Sequence, residues 1–213
     1  GVKGLIELGA NADSVITIDC PGYTQSRTLL HYAVKQGNIA IVQALISGGA
    51  KVNRPSFIYD PQVFQKSESA MAVAASLGYL EIVRELLSAK ADPNDGSLHK
   101  AARNAQLEVV KLLIQHGARL DIKIDSVVWP TLPEIDQKWT DNPDCNRIRR
   151  PRGDVLSFAM CWPGGRQNTS QAARNNYLNL VNLLLYYYGS QRLSVEQRAL
   201  RAALDANNII GLK

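Results

Sequence analysis

The stretch Thr28–Asn53, TLLHYAVKQGNIAIVQALISGGAKVN, contains the pattern that decides the fold. The same pattern returns at Ser69–Asn94 (SAMAVAASLGYLEIVRELLSAKADPN) and at Gly96–Asp121 (GSLHKAARNAQLEVVKLLIQHGARLD). Each copy has a short apolar-periodic segment, a small breaker, a stronger periodic segment and an ending of the Gly-Ala type. Self-similarity of this kind is typical of a solenoid, in which stacked repeats bury one continuous core.

The spacing inside the copies shows that they share one register. From the breaker to the residue that ends the second segment the distance is twelve residues in all three copies. These pairs are Gly37 and Gly49, Gly78 and Lys90, and Ala105 and Gly117. A hydroxyl residue such as Thr28 or Ser69 caps a helix start, and glycine favours a left-handed helix end. We therefore predict two helices per repeat, with Lys90 in a left-handed conformation that costs on the order of 1 kcal/mol.

These residues resemble the ankyrin repeat, whose consensus is roughly T-P-L-H-x-A-A-x-x-G-x-x-x-V-V-x-x-L-L-x-x-G-A-D-x-N. The matches in the first copy are Thr28, Leu30, His31, Ala33, Gly37, Val42, Leu45, Gly49, Ala50 and Asn53. The resemblance implies an all-α ankyrin-repeat solenoid of helix-turn-helix units, with β-hairpin or loop fingers and one long irregular insert. It also implies that His31 and His99 are structural, each bonded to the backbone of a neighbouring loop.

Extending the register in both directions gives the domain organisation. We interpret residues 1–213 as a single ankyrin-repeat domain and as a piece of a longer protein. Its parts are a partial repeat 1–23, repeats 24–60, 61–94 and 95–121, an irregular insert 122–167, a repeat 168–192 and a partial repeat 193–213. Only 27 residues separate Ser69 from Gly96, so we expect that the third repeat has lost most of its hairpin.

The last repeat allows two arrangements. Ala172–Leu185 matches Ala101–Ile114 at an offset of 71 residues, so a first helix can begin at AARNN, with VLSFAMCW at 155–162 as an extra turn in an elongated finger. Alternatively VLSFAM is itself the first helix, with Leu156 and Ala159 in the consensus positions and residues 163–175 inserted after it. We favour the first arrangement, because it keeps the small pair of AARNN next to its partner helix.

Composition limits the functional class. The chain of 213 residues has a net charge of +5 and three cysteines, at spacings that fit neither a disulfide framework nor a C-x-x-C metal site. We interpret Cys20, Cys145 and Cys161 as free thiols of a cytoplasmic or nuclear protein. No apolar run approaches the roughly 18 to 20 residues of a membrane span. The sequence shows no pair of nucleophile and base, no phosphate-binding loop and no set of zinc ligands, so we predict no enzyme activity, cofactor or metal.

The resemblance implies a concave binding face, made of finger tips and the exposed positions of each first helix. The predicted partner-binding residues are Tyr32, Lys35, Gln36, Lys100, Arg103, Asn104, Gln171, Arg174 and Arg201. Val73, Ser76 and Leu77 take the same positions in the third repeat. Five of these side chains are cations, and no acid occurs in the strip before Asp205, so we predict a protein-interaction module that binds an acidic partner segment.

A second basic cluster lies in the insert. It consists of Arg147, Arg149, Arg150 and Arg152. A solvated loop is the simplest interpretation of this cluster. There are two alternatives: it anchors an acidic partner, or it is a patch for nuclear targeting or nucleic-acid binding. We expect a monomer that binds a protein partner, with nucleic acid disfavoured as a target and no membrane binding. The alternative function is the recognition or scaffolding arm of a larger enzyme or signalling receptor.

Overall fold

The computed structural model describes residues 1–20, 23–60, 63–122, 154–160 and 170–189. The helices are α1 (Val2–Glu7), α2 (Leu29–Lys35), α3 (Ile39–Ser47), α4 (Ala70–Leu77), α5 (Leu80–Ser88), α6 (Ser97–Arg103), α7 (Leu107–Gln115), α8 (Val155–Met160) and α9 (Gln171–Tyr188). The strands are β1 (Val15–Cys20), β2 (Tyr23–Thr28), β3 (Ser56–Asp60) and β4 (Val63–Glu68). The predicted solenoid of helix pairs with hairpin fingers is confirmed.

The helices stack in two rows. The first row contains α2, α4, α6 and α8, and the second row contains α3, α5, α7 and α9, with α1 packed on α3. Small residues let the two rows approach each other, and they are buried at Ala33, Ala74, Ala75, Ala101 and Ala102. Val42, Val83 and Val110 occupy one repeat position in the second row and are completely buried. Each repeat therefore buries its apolar stripe against its neighbours, and the interfaces between repeats supply the stability.

The two hairpins form one antiparallel sheet in the order β1-β2-β3-β4. Thr24–Ser26 of β2 pair with Phe57–Tyr59 of β3, so the finger before α2 is joined to the finger before α4. The third connection differs, because α5 ends at Ser88, α6 begins at Ser97 and the fully described residues between them form turns without a strand. The predicted loss of this hairpin is confirmed.

Helix ends are fixed by capping side chains and by residues with positive φ. The Ser69 hydroxyl accepts a hydrogen bond from the backbone N–H of Ala72 at 2.9 Å, as expected of a helix cap. Lys90 has a φ of 64°, which confirms its predicted left-handed conformation, and Ala105 has a φ of 55° at the breaker position. Glycine would be the less strained residue at both places.

Polar side chains also link each repeat to the next. The links are from the backbone N–H of Lys51 to Asp13 Oδ1 at 3.1 Å, from that of Asp92 to Asn53 Oδ1 at 2.9 Å, and from that of Arg119 to Asn94 Oδ1 at 2.9 Å. Asp13, Asn53 and Asn94 all stand at the last position of the repeat pattern. An Asp or Asn side chain at the same repeat position therefore keeps the connections of successive repeats in register.

The last repeat overturns the arrangement that we favoured. Residues 171–188 form one continuous helix, so AARNN is not a separate first helix. α8 instead stacks on α6 and contacts α9, and Leu156 and Ala159 are completely buried. Ala172, in contrast, is exposed. A first-row helix is buried between neighbours, and VLSFAM has the apolar residues for that place whereas the polar segment 171–176 does not.

Candidate protein-binding face

The first-row helices carry three aligned positions that the repeat pattern predicts to be accessible. We call the surface formed by these positions the inner face. It comprises Tyr32 and Lys35 on α2 with the C-cap residue Gln36, Val73, Ser76 and Leu77 on α4, and Lys100 and Arg103 on α6 with the C-cap residue Asn104. Lys35 and Gln36 are exposed, Tyr32 and Val73 are half-buried, and Leu77 is 40% exposed. The structure thus brings together the predicted residues of α2 and α6, with α4 between them.

Lys100 is the predicted residue that the structure most clearly corrects. It is only 8% exposed, and its ammonium group forms an ion pair with the carboxylate of Glu68 at the end of β4. The expected strip without acids is therefore wrong at this position. The acid comes from a finger strand, whereas the sequence count considered only helix positions. Attraction between the two charges is stronger here than in bulk water, because both side chains are largely shielded from solvent.

Glu68 connects three successive repeats. Its carbonyl oxygen accepts a hydrogen bond from Nε2 of His31 at 2.9 Å and another from Oγ of Ser56 at 3.0 Å. Its carboxylate pairs with Lys100 on α6. Glu68 therefore connects α2, the second finger and α6. Searching the finger strands of the sequence for acidic residues could have suggested this role.

His31 and His99 have the structural role that the resemblance implied. Nε2 of His99 donates a hydrogen bond to the carbonyl oxygen of Ile122 at 2.9 Å, as Nε2 of His31 does to Glu68. Burial lowers the pKa of the His31 imidazole, and it lowers the pKa of His99 to about 4. Both rings are neutral near pH 7 and add no charge to the inner face.

The inner face closes towards α8. Phe158 of α8 takes the position that Tyr32, Val73 and Lys100 have in the preceding helices, and it is completely buried. Its ring contacts that of His99 edge to face, with the ring centroids 5.0 Å apart. Along this line of residues Tyr32 and Val73 are half-buried, whereas Lys100 and Phe158 are buried, so the accessible part of the inner face lies on α2, α4 and the end of α6.

The other predicted site residues do not join this surface. Gln171 and Arg174 lie in the first turn of α9, a second-row helix, because α8 occupies the first-row place of that repeat. Their assignment to the binding strip was wrong. Arg201 and the insert cluster lie outside the described residues; the cluster is Arg147, Arg149, Arg150 and Arg152.

Two kinds of feature are missing from the part of the chain that the structure describes. None of its helices combines the length and the apolar character that a membrane crossing needs. In the same residues, no three His, Cys, Asp or Glu side chains are grouped so that they could hold a metal ion.

Comparison with known proteins identifies the repeats. A family profile described as "Ankyrin repeats (3 copies)" matches residues 55–124, and one described as "Ankyrin repeat" matches residues 25–56. Residues 25–124 are therefore ankyrin repeats, a class of generally protein-binding and typically non-catalytic modules. The chain is also similar to alpha-latrocrustotoxin-Lt1a of Latrodectus tredecimguttatus, at 32% identity over 114 residues. That segment is 50% of this chain and 7% of the relative.

Proposed function

We propose that this chain is a protein-interaction module whose inner face binds an acidic segment of a partner. The observation that carries the proposal is the open part of the inner face on α2 and α4. There Lys35 is exposed and forms no ion pair with any of the described residues. An exposed cation beside half-buried apolar side chains offers a partner both attraction and contact area.

The net charge of +5 supports the same partner chemistry. A positive surface raises the rate at which an acidic segment arrives, and salt reduces this effect because it screens the attraction. Lys100 is left out of the proposed site, since its charge is already balanced by Glu68.

A charge reversal with a matched control tests the proposal. The probe is a fluorescein-labelled peptide of eight glutamates, titrated with the chain and followed by fluorescence anisotropy at low and at physiological salt. Lys35→Glu should weaken binding about three- to tenfold, since it removes one attraction and adds one repulsion. Lys111→Glu on α7 makes the same change of charge on the second row, where it also removes the ion pair with Glu108, and should have little effect on peptide binding. Equal losses in both variants, or no binding at all, would contradict the proposal.

The same probe separates the inner face from the insert. Replacing Arg147, Arg149, Arg150 and Arg152 by serine removes the second basic cluster without touching α2. Binding that survives Lys35→Glu and disappears in this variant would move the site to the insert.

A second candidate is the recognition arm of a larger protein. The aligned segment is only 7% of the relative, so similar repeats occur there as a small part of a much longer chain. This similarity favours the second candidate. An antibody against residues 25–124 tests it on an immunoblot of source cells. A band far above 23.4 kDa supports the arm, and a band at that mass excludes it.

Three further expectations remain part of the proposal. They are the repeat boundaries given above, the monomeric state and a cytoplasmic or nuclear location. Size-exclusion chromatography with light scattering tests the monomer, and fluorescence microscopy of the tagged protein tests the location.

A further inference from the structure

An apolar patch lies in the middle of the open inner face. Leu77 is the last residue of α4 and is 40% exposed. Val73 lies one turn earlier on the same helix face, because residues four apart are neighbours on a helix surface. Tyr32 takes the position of Val73 on α2, which stacks directly against α4. Tyr32, Val73 and Leu77 therefore form one partly exposed apolar surface, which we call the anchor patch.

Polar and charged groups surround the anchor patch on both sides. Lys35 and Gln36 are exposed at the end of α2, and Arg103 and Asn104 are half-buried at the end of α6. An apolar centre with a polar rim is the arrangement that concentrates binding energy in protein interfaces. Because the rim carries the exposed cation Lys35, the occupant is an acidic segment. A second copy of this chain, which has a net charge of +5, would be repelled.

We infer, on the basis of the proposed function, that the partner segment has one large apolar residue and, a few positions away, an acidic residue. The apolar side chain sits on the anchor patch, and the carboxylate reaches Lys35 at the edge of the patch. Neighbouring helices lie about 8 to 10 Å apart, and an extended chain advances about 3.3 Å per residue. The acid therefore stands about three residues from the anchor, which gives acid-x-x-apolar in one chain direction and apolar-x-x-acid in the other; a peptide with an acid at both places fits either direction.

Three labelled peptides test this pattern by fluorescence anisotropy. The first is Glu-Ser-Thr-Leu-Ser-Thr-Glu, the second has serine in place of leucine, and the third, Ser-Thr-Glu-Leu-Glu-Ser-Thr, has the acids next to the leucine. Burial of a leucine side chain is worth enough to change affinity about tenfold or more. We expect the first peptide to bind about tenfold more tightly than the second and several-fold more tightly than the third.

A matched pair of variants places the anchor on the protein. Leu77→Gln should abolish the advantage of leucine over serine, whereas Leu178→Gln, at a residue 44% exposed on α9, should leave it intact. Circular dichroism confirms that both variants are folded. Equal binding of the leucine and serine peptides, with the eight-glutamate peptide still sensitive to Lys35→Glu, would overturn the anchor and leave the proposed function standing. Failure of every acidic peptide to bind would overturn both.

Discussion

His31 and His99 take the same place in two repeats but have different partners. The Thr28 hydroxyl donates a hydrogen bond to Nδ1 of His31 at 2.7 Å, so both ring nitrogens are satisfied. Gly96 takes the place of Thr28 in the later repeat, and Nδ1 of His99 has no hydrogen-bond partner within the described residues. Around His99 lie the Ile122 carbonyl, the Phe158 ring and the charge of Asp154. With glycine at this capping position, a buried ring nitrogen has no hydrogen-bond partner among the residues that the structure describes.

The lowered pKa of His99 predicts a loss of stability in mild acid. The ring titrates near 6.5 in the unfolded chain and near 4 in the folded chain, so the unfolded state binds more protons between these values. The free energy of unfolding must therefore fall as the pH drops from about 6.5 towards 4. Urea titrations at pH 7 and pH 5 should show a smaller loss for His99→Gln than for the wild type. An identical loss in the two proteins would show that the His99 ring is already accessible to protons.

A substitution at Lys90 is predicted to increase the stability of the fold. Because its φ is 64°, Lys90→Gly should stabilise the fold by up to about 1 kcal/mol. The measurement is a shift of the urea midpoint at constant slope. Lys111→Gly, inside α7, is the control and should destabilise by about 1 kcal/mol. Destabilisation by Lys90→Gly would mean that the lysine side chain makes a contact worth more than the strain.

At the scale of helices and strands, the sequence was informative where the repeats are regular. The shared register predicted α2 to α7, and the short spacing after Ser69 predicted the missing hairpin. It failed at α8 and α9, because AARNN at residues 172–176 copies the letters of a first helix but not its surroundings. Sequence similarity between segments does not reveal which of them is buried between neighbouring helices. Only the folded structure shows this, because there residues such as Leu156 are completely buried.

The ion pair between Lys100 and Glu68 has a predictable energetic effect on the fold. Lys100→Glu places two carboxylates together where the paired side chains are only 11% and 18% exposed, so we expect a loss of about 2 to 3 kcal/mol. The exchanged pair, Lys100→Glu with Glu68→Lys, should recover part of it. Urea titration of the single and double variants measures this coupling. Additive losses would show that the two charges do not interact.

Across the whole molecule, the sequence predicts the binding face only in part. Of the residues that the consensus positions predicted, Lys35 and Gln36 are exposed and Tyr32 is half-buried. The consensus positions could not show that Lys100 is paired, because its partner lies 32 residues away in a finger strand. They also could not show that Phe158 closes the row. Repeat patterns predict which positions face outward, whereas contacts between repeats decide which of those positions remain accessible.

Stability should depend on the interfaces between repeats throughout the chain. Leu112 of α7 is 5% exposed, and Leu112→Ala should cost about 2 to 5 kcal/mol, because the stripe it belongs to is buried only against neighbouring repeats. Leu178→Ala on α9, at an exposed leucine, is the matched control and should cost less than about 1 kcal/mol. A loss below about 0.5 kcal/mol for Leu112→Ala in urea titration would contradict its burial.

The central claim is that the inner face of α2 and α4 is the binding surface, and photo-crosslinking tests it most directly. The peptide Glu-Ser-Thr-Leu-Ser-Thr-Glu is synthesised with photoleucine as its central residue, irradiated with the chain, and the crosslinked residues are identified by mass spectrometry. We predict crosslinks at Tyr32, Val73 and Leu77, competed away by the unlabelled leucine peptide. Crosslinks confined to α5, α7 or the insert would contradict the claim.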